Sequence, residues 1–174
     1  DVTEILADTW HNVIIVWVES GYTDKDGTAS QNGKGYKIFY DGNRVDSNAA
    51  NSSFNTYNFE VSETTSSLAV GAQLSPSFAK AWKGYVDEVA LFETSLTESQ
   101  VSEIYNLGIP ADLSSYNPSV WWRMGESDGC TGSTITDLGS LGIDATWAKY
   151  AGTPTPHYST DIPSTPATPT YTPE

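Results

Sequence analysis

The stretch GYVDEVALF at residues 84–92, followed by ETSLTESQVSEIYNLG at residues 93–108, indicates the fold more clearly than any other part of the chain. Valine, tyrosine and phenylalanine dominate the first segment, which is typical of a β-strand. In the second segment Thr97 is placed to cap a helix, and Gln100 stands three residues later, as a capping box requires. Gly108 then ends the helical pattern. We therefore predict a strand followed by one short helix.

A hairpin is predicted upstream of this unit. Residues 10–19, WHNVIIVWVE, are apolar on both alternating faces, which predicts a strand buried on both sides. Residues 36–40, YKIFY, form the next strand and are followed by Asp41 and Gly42. An Asp-Gly pair suits a two-residue hairpin turn, because both turn positions need positive φ. The chain is therefore expected to fold back into residues 43–46.

The rest of the chain predicts further short strands. They lie at residues 57–61, 68–74, 120–124 and 143–150. Strands at such short intervals favour an all-β sandwich, since a βαβ fold needs helices between its strands.

The C-terminal residues 153–174 differ in composition from everything before them. They hold six of the nine prolines and almost no aliphatic side chains. Such a segment cannot form a core of its own, so an extended, polyproline-like linker or docking arm is predicted.

The charge of the chain excludes some classes of partner. The chain has 22 acidic and 8 basic residues, a formal net charge of −14. Nucleic acid and anionic lipid both require a basic surface, so neither is expected as a partner. A membrane span needs roughly 18 consecutive apolar residues, and no run in the sequence approaches that length.

Three sets of segments resemble the laminin-G-type, concanavalin A-like family as it occurs in structural proteins of bacteriophages. WHNVI with YKIFYDG is similar to the family's hairpin, GYVDEVALF with LTESQV and IYN resembles its ending, and VWWRMG with ITDLG and DAT resembles its opening. These segments lie at residues 10–14 and 36–42, at 84–92 and 96–106, and at 120–125 and 135–146.

The resemblance implies a concanavalin A-like jelly-roll β-sandwich with one short helix. We expect a laminin-G-like sandwich over residues 1–112 whose front part is missing or lies upstream of Asp1, an opening-like segment over residues 113–152 packed with it, and the arm at 153–174. The ending motif precedes the opening motif, which leaves three arrangements open. In the first, the chain holds the back of one sandwich and the front of another. In the second, it is a circular permutation of one sandwich, and in the third it belongs to a complete domain whose front lies upstream.

An unpaired strand as apolar as residues 120–124 would be an aggregation-prone edge. We therefore expect this strand to pair with the strand at residues 84–92. The expectation fails if Trp121 and Trp122 are exposed and unpaired.

The carboxylates of the ending motif bear on catalysis. Retaining glycosidases, some of which share this sandwich, need two carboxyl groups about 5 Å apart on one side of the sugar. Asp87 and Glu88 are adjacent, so on an extended strand they face opposite sides. We therefore predict that the chain is not an enzyme. The resemblance implies instead that Asp87 satisfies backbone donors or orients a loop.

Calcium is the one cofactor that the sequence suggests, because its hard oxygen ligands are plentiful here. Asp24, Asp26 and Thr28 alternate as the first ligands of a calcium loop would. Asp137 and Asp144 form a second candidate site by resemblance to the family opening. For both groups the alternative is a turn stabilised by an aspartate side chain.

Aromatic side chains suggest sugar binding, because their faces stack on pyranose rings. Trp10, Trp17, Trp121 and Trp122 fall in apolar strands, which favours core packing for these four. The candidates left for a carbohydrate site are Tyr22, Tyr57, Trp82, Tyr116 and Trp147.

Taken with the resemblance, these features predict a structural protein of the bacteriophage virion surface. It would be a capsid decoration, a spike or a tail-fibre component. Cys130 is the only cysteine, so stability must come from packing or assembly without an internal disulfide. Partners would be other virion proteins, further copies of the chain and cell-surface polysaccharide. The alternative is a glycan-binding adhesion module of a secreted bacterial protein.

Overall fold

The computed structural model describes residues 9–47, 68–71, 82–147 and 156–163. These residues form seven strands and one α-helix, α1, with a few 3₁₀ turns, which confirms the all-β class. The elements are β1 (Val13–Val18), β2 (Gly35–Tyr40), β3 (Asn43–Arg44), β4 (Val89–Leu91), α1 (Glu98–Tyr105), β5 (Val120–Trp122), β6 (Thr134–Ile135) and β7 (Ala145–Thr146).

Four predicted elements lie wholly or partly outside the described residues. They are all of the strand at 57–61, the ends of the strands at 68–74 and 143–150, and most of the arm at 153–174. Residues 68–71 and 156–163 are described and form neither helix nor strand.

The chain divides into two compact units. The first comprises Asp1–Tyr57, Thr94–Asp112 and Pro163–Glu174, and the second comprises Asn58–Glu93 and Leu113–Ile162. Both are assembled from separate stretches of sequence. A laminin-G-like sandwich over residues 1–112 stays a prediction.

The first unit contains the predicted hairpin. β1 pairs antiparallel with β2, and β2 turns back into β3 with Tyr40 opposite Asn43. The two turn residues, Asp41 and Gly42, have φ values of 48° and 74°. Positive φ at both positions is what a type I′ turn requires, so the hairpin prediction is confirmed.

Helix α1 begins as the capping signals predict. The Thr97 hydroxyl accepts the backbone N–H of Gln100 at 3.2 Å, and the Gln100 side chain accepts the backbone N–H of Thr97 at 2.9 Å. The capping box is therefore confirmed. The helix ends at Tyr105 because Asn106 adopts a left-handed conformation, so Gly108 follows the helix in a separate 3₁₀ turn.

The core of the first unit joins the hairpin to the helix. Val101 of α1 is fully buried and packs with Val16 of β1 and Phe39 of β2. Val13 and Ile15, on the opposite face of β1, are 56% and 60% exposed. The prediction that β1 is buried on both faces is therefore wrong. The strand behaves as in an antiparallel sheet that covers a core on one side only.

The second unit is organised around the tryptophan strand. β4 pairs antiparallel with β5, with Val89 opposite Trp122 and Leu91 opposite Val120. Trp121 and Trp122 are 6% and 5% exposed, so the expected pairing is confirmed. β4 is shorter than the predicted strand because Glu88 has a φ of 50°, which interrupts the extended backbone just before Val89.

Two further strands complete the core of the second unit. β6 pairs with β7, and Ile135 of β6 is buried with Val120 and Trp122. Trp147, directly after β7, packs against the same cluster.

Candidate functional site

Three carboxylates meet where β4 begins and β5 ends. Asp87, Glu88 and Glu126 each place one oxygen so that the three oxygens lie within 4.8 Å of one another. The antiparallel register explains the meeting, because Val89 at the start of β4 lies opposite Trp122 at the end of β5. The prediction that Asp87 and Glu88 point to opposite sides of a strand is wrong. It assumed an extended backbone, and Glu88 is left-handed.

Glu88 is held by Trp121 of β5 and by Arg123, which directly follows β5. The indole N–H of Trp121 donates to Glu88 Oε2 at 2.7 Å, and Nε of Arg123 donates to Glu88 Oε1 at 2.8 Å. The Arg123 guanidinium also lies 5.6 Å from the centre of the Trp121 ring. The hydrogen bond to Glu88 raises the pKa of Arg123. Glu88 is therefore a fixed anchor between the start of β4 and β5.

The carboxylate of Asp87 accepts fewer hydrogen bonds than that of Glu88. Its Oδ1 accepts the backbone N–H of Glu88 at 2.9 Å, so it does satisfy one backbone donor. Its Oδ2 is buried and has no hydrogen-bond partner among the described residues. Burial raises the pKa of Asp87 to about 6, and the nearby charges of Glu126 and Glu88 add to the effect.

These contacts limit what the cluster can do chemically. Catalysis by Asp87 and Glu88 would need an oxygen that can reach a substrate. Both oxygens of Glu88 and one of Asp87 already accept hydrogen bonds, and the remaining oxygen is buried. Three of the four carboxylate oxygens of Asp87 and Glu88 are therefore engaged by hydrogen-bond donors of the protein.

The first predicted calcium loop is stabilised from within. Asp24 is 3% exposed, and its Oδ1 accepts the backbone N–H groups of Asp26 at 3.0 Å and Thr28 at 2.8 Å. The carboxylate of Asp26 pairs with Lys25 at 2.8 Å. This is the aspartate-stabilised turn that the sequence offered as the alternative. Calcium binding by this loop stays a prediction.

The second predicted calcium site also has backbone partners. Asp137 Oδ1 accepts the N–H groups of Trp121 and Gly139, and its Oδ2 accepts that of Ile143, each at 2.7 Å. Burial pushes the pKa of Asp137 up, but these backbone donors outweigh it and lower the pKa. Asp144 accepts the N–H of Asp137 at 3.0 Å. Asp137 therefore ties the following loop to β5, and calcium here also stays a prediction.

Tyr22 is not available to a sugar. It is 4% exposed, its hydroxyl donates to Asp46 at 2.8 Å, and its ring lies directly against Gly35. Burial, followed by the hydrogen bond to Asp46, raises the pKa of Tyr22 to about 12. The expectation that a ligand could reach this ring is corrected, because the ring is buried against Gly35 and its hydroxyl is engaged by Asp46.

The other carbohydrate candidates differ in exposure. Tyr57 lies outside the described residues. Tyr116 is half-buried in a 3₁₀ turn, and Trp147 is half-buried with its ring 5.9 Å from that of Tyr158. Trp82 is 57% exposed. Among the candidates that the structure describes, Trp82 therefore offers the most accessible ring.

Comparison with known proteins identifies no relative, since the chain matches no family model, no curated protein and no solved structure. The family resemblance therefore depends on the motif segments and on the elements they form. Across the described ranges, no helix has the length and apolar character needed to cross a membrane.

Proposed function

We propose that this chain is an outward-facing structural module of a bacteriophage particle, built on a concanavalin A-like jelly-roll β-sandwich. It acts as a capsid decoration, a spike or part of a tail fibre. One observation carries the proposal, namely the local structure of the segments that resemble the family. The hairpin segments form a hairpin turned at Asp41 and Gly42, and the ending segments form strand β4 followed by the capped helix α1.

The arrangement of the carboxylates supports a role without catalysis. Glu88 is held by Trp121 and Arg123, and the free oxygen of Asp87 is buried. The cluster therefore serves to fix the start of β4 against β5. Stability from such ties suits a surface module that must persist outside the cell.

The exposed face of β1 supports a protein partner. Val13 and Ile15 are more than half exposed, and Ile38, which lies opposite Ile15 on β2, is 36% exposed. Exposed neighbouring apolar residues are typical of surfaces that other proteins cover. In the proposal this face contacts a further copy of the chain or another virion protein.

A second role, adhesion to polysaccharide, is favoured by the exposure of Trp82. The two roles are compatible, because a particle's surface modules are also the parts that meet the host. The same adhesive role would serve a secreted bacterial protein.

Immunogold electron microscopy on purified particles tests the structural role. An antibody raised against the folded chain should label intact phage particles at regular positions, and preincubation with free protein should abolish the labelling. The proposal fails if intact particles stay unlabelled while the chain is recovered in the unassembled fraction of the same lysate.

A further inference from the structure

Three side chains of the first unit form a hydrogen-bonded chain where β1 begins and β2 ends. The hydroxyl of Thr9 lies 2.7 Å from Nε2 of His11, and Nδ1 of His11 lies 2.8 Å from Oδ2 of Asp41. A hydroxyl, an imidazole and a carboxylate in this order are the parts of an activated nucleophile, whose base is itself oriented by the third group.

Asp41 is fixed in place by the hairpin. It is the first residue of the turn between β2 and β3, and its side chain is only 5% exposed. Its Oδ1 accepts the backbone N–H of Asn12 at 2.8 Å, and its own backbone N–H donates to the carbonyl of Asn12 at 2.9 Å. Asp41 is therefore tied to the residue before β1 through both its backbone and its side chain, and its Oδ2 holds His11.

The contacts of His11 fix both its position and its tautomer. Its side chain is 12% exposed, and its ring stacks on that of Tyr40 with the ring centres 4.9 Å apart. An ionised carboxylate only accepts hydrogen bonds, so Nδ1 carries the proton that bonds to Asp41. In the neutral imidazole Nε2 is then the acceptor, and the hydroxyl of Thr9 donates to it. A base is therefore placed against the hydroxyl proton of Thr9.

We propose that Thr9 is a nucleophilic hydroxyl that accepts an acyl group from an activated ester. His11 is its general base, and Asp41 is the residue that positions His11. Thr9 is exposed, so an acyl donor in solvent can approach its oxygen. Acceptance of one acyl group modifies the chain and requires no turnover of a substrate. The inference therefore goes beyond the proposed function and does not depend on it.

The reaction transfers one acyl group and one proton. Oγ1 of Thr9 attacks the carbonyl carbon of the donor while Nε2 of His11 takes the hydroxyl proton, which gives a tetrahedral adduct and an imidazolium paired with Asp41. The adduct collapses to an ester on Thr9, and the bond to the leaving group breaks with its electron pair. The imidazolium gives its proton to the leaving aryloxide or thiolate, which restores the neutral base.

Two features of the site select the class of donor. The contacts described above supply a base and its orienting carboxylate, so the donor must bring a leaving group that is already stable as an anion. Aryl esters and thioesters have such leaving groups, whereas amides do not. The group paired with His11 is the carboxylate of Asp41, whereas phosphoryl transfer depends on cations that neutralise the phosphate oxygens. The donor is therefore an activated acyl ester and not a phosphoryl compound.

Incubation of the full chain with p-nitrophenyl acetate at neutral pH, followed by intact-mass measurement and peptide mapping, tests the site. The wild type should carry one acetyl group on Thr9. Thr9→Val keeps the shape of an exposed side chain and should abolish this acetylation, whereas Thr9→Ser should retain it. His11→Gln should slow the acetylation of Thr9 about 100-fold or more, because a general base contributes on the order of 10²–10⁴ in rate.

Asp41→Asn separates the orientation of His11 from the fold, because an Asn-Gly pair also suits the hairpin turn. The asparagine amide can donate to Nδ1, which selects the tautomer whose Nε2 carries the proton and cannot accept that of Thr9. Acetylation of Thr9 should therefore fall about as far as in His11→Gln. His157→Gln, which replaces an exposed histidine of the second unit, is the matched control and should react like the wild type.

Thr131 is a control within the same reaction. It is exposed, its hydroxyl donates to the carbonyl of Asp128 at 3.1 Å, and it should stay unmodified. Lysine amines react directly with the ester, so their acetylation should be equal in all variants.

Each other outcome overturns the proposal or a defined part of it. A wild type whose Thr9 is acetylated no faster than Thr131 overturns the proposal as a whole. Acetylation of Thr9 that is unchanged in His11→Gln removes His11 as the base, and acetylation unchanged in Asp41→Asn removes the positioning role of Asp41. Release of p-nitrophenolate that depends on His11 but persists in Thr9→Val assigns the attack to water and removes Thr9 as the nucleophile.

Discussion

Replacing Asp87 by asparagine should stabilise the protein at neutral pH. The ionised carboxylate has a buried Oδ2 without a hydrogen-bond partner among the described residues, and it lies close to Glu88 and Glu126. Asparagine keeps the shape, removes the charge and adds an N–H donor that can face a neighbouring carboxylate. The change therefore removes a repulsive interaction and leaves the acceptor of the Glu88 N–H bond in place.

The size of the gain follows from the pKa of Asp87. A rise from 3.8 to about 6 means that the folded state binds this proton more tightly than the unfolded state does. At pH 7 the difference corresponds to about 3 kcal/mol against folding, and solvent screening of a partly exposed carboxyl reduces it to about 1–2 kcal/mol. The contribution of Asp87 to stability therefore becomes more favourable as the pH falls from 7 through 6 and levels off below 3.8.

Urea unfolding at pH 7 and at pH 4, followed by circular dichroism, measures the effect. Asp87→Asn should raise the free energy of unfolding at pH 7, and the gain should shrink towards zero at pH 4, where the wild-type carboxyl is largely protonated in the folded state. Asp26→Asn is the matched control, since the side chain of Asp26 is 59% exposed and should change stability little. A variant that is less stable than the wild type at pH 7, or whose gain does not depend on pH, would refute the reasoning.

Three further substitutions should each destabilise the protein, and the same urea unfolding measures them. Gly42→Ala should cost about 1–3 kcal/mol, because φ is 74° there and an added Cβ would lie 2.5 Å from the Tyr105 ring; an unchanged midpoint would contradict this. Val101→Ala should lower the free energy of unfolding by about 2 kcal/mol or more, because the side chain is fully buried. A decrease of less than about 0.5 kcal/mol would argue against the packing of α1 on the sheet. Glu88→Gln should lower the free energy of unfolding by about 1–3 kcal/mol at pH 7, because it removes the charge that pairs with Arg123. This effect on stability is opposite in sign to that of Asp87→Asn. A gain in stability would show that the pair with Arg123 does not stabilise the fold.

The elements that the sequence predicts well are those with a local chemical cause. The turn at Asp41 and Gly42 needs positive φ at two adjacent positions, and few residue pairs adopt it. The capping box of α1 depends only on Thr97 and Gln100, which are three residues apart in the sequence. The pairing of β5 with β4 was predictable for another reason, since so apolar a strand needs a partner.

The features that escaped prediction depend on residues far apart in sequence or on a single backbone angle. Burial of Tyr22 follows from a hydrogen bond to Asp46 and a contact with Gly35, neither of which leaves a local pattern. The exposure of Ile15 could not be foreseen, because an apolar residue says nothing about which face of a sheet is covered. The third member of the acidic cluster, Glu126, is brought in only by the register of β4 and β5.

The left-handed backbone at Glu88 forms the anchor between the start of β4 and the end of β5. An extended residue here would continue the strand and place Asp87 and Glu88 on opposite faces, as alternation requires. Because of the positive φ the strand begins only at Val89, and Glu88 reaches Trp121 and Arg123. A non-glycine residue in this conformation is unfavourable by itself, so the two hydrogen bonds to Glu88 must outweigh that cost.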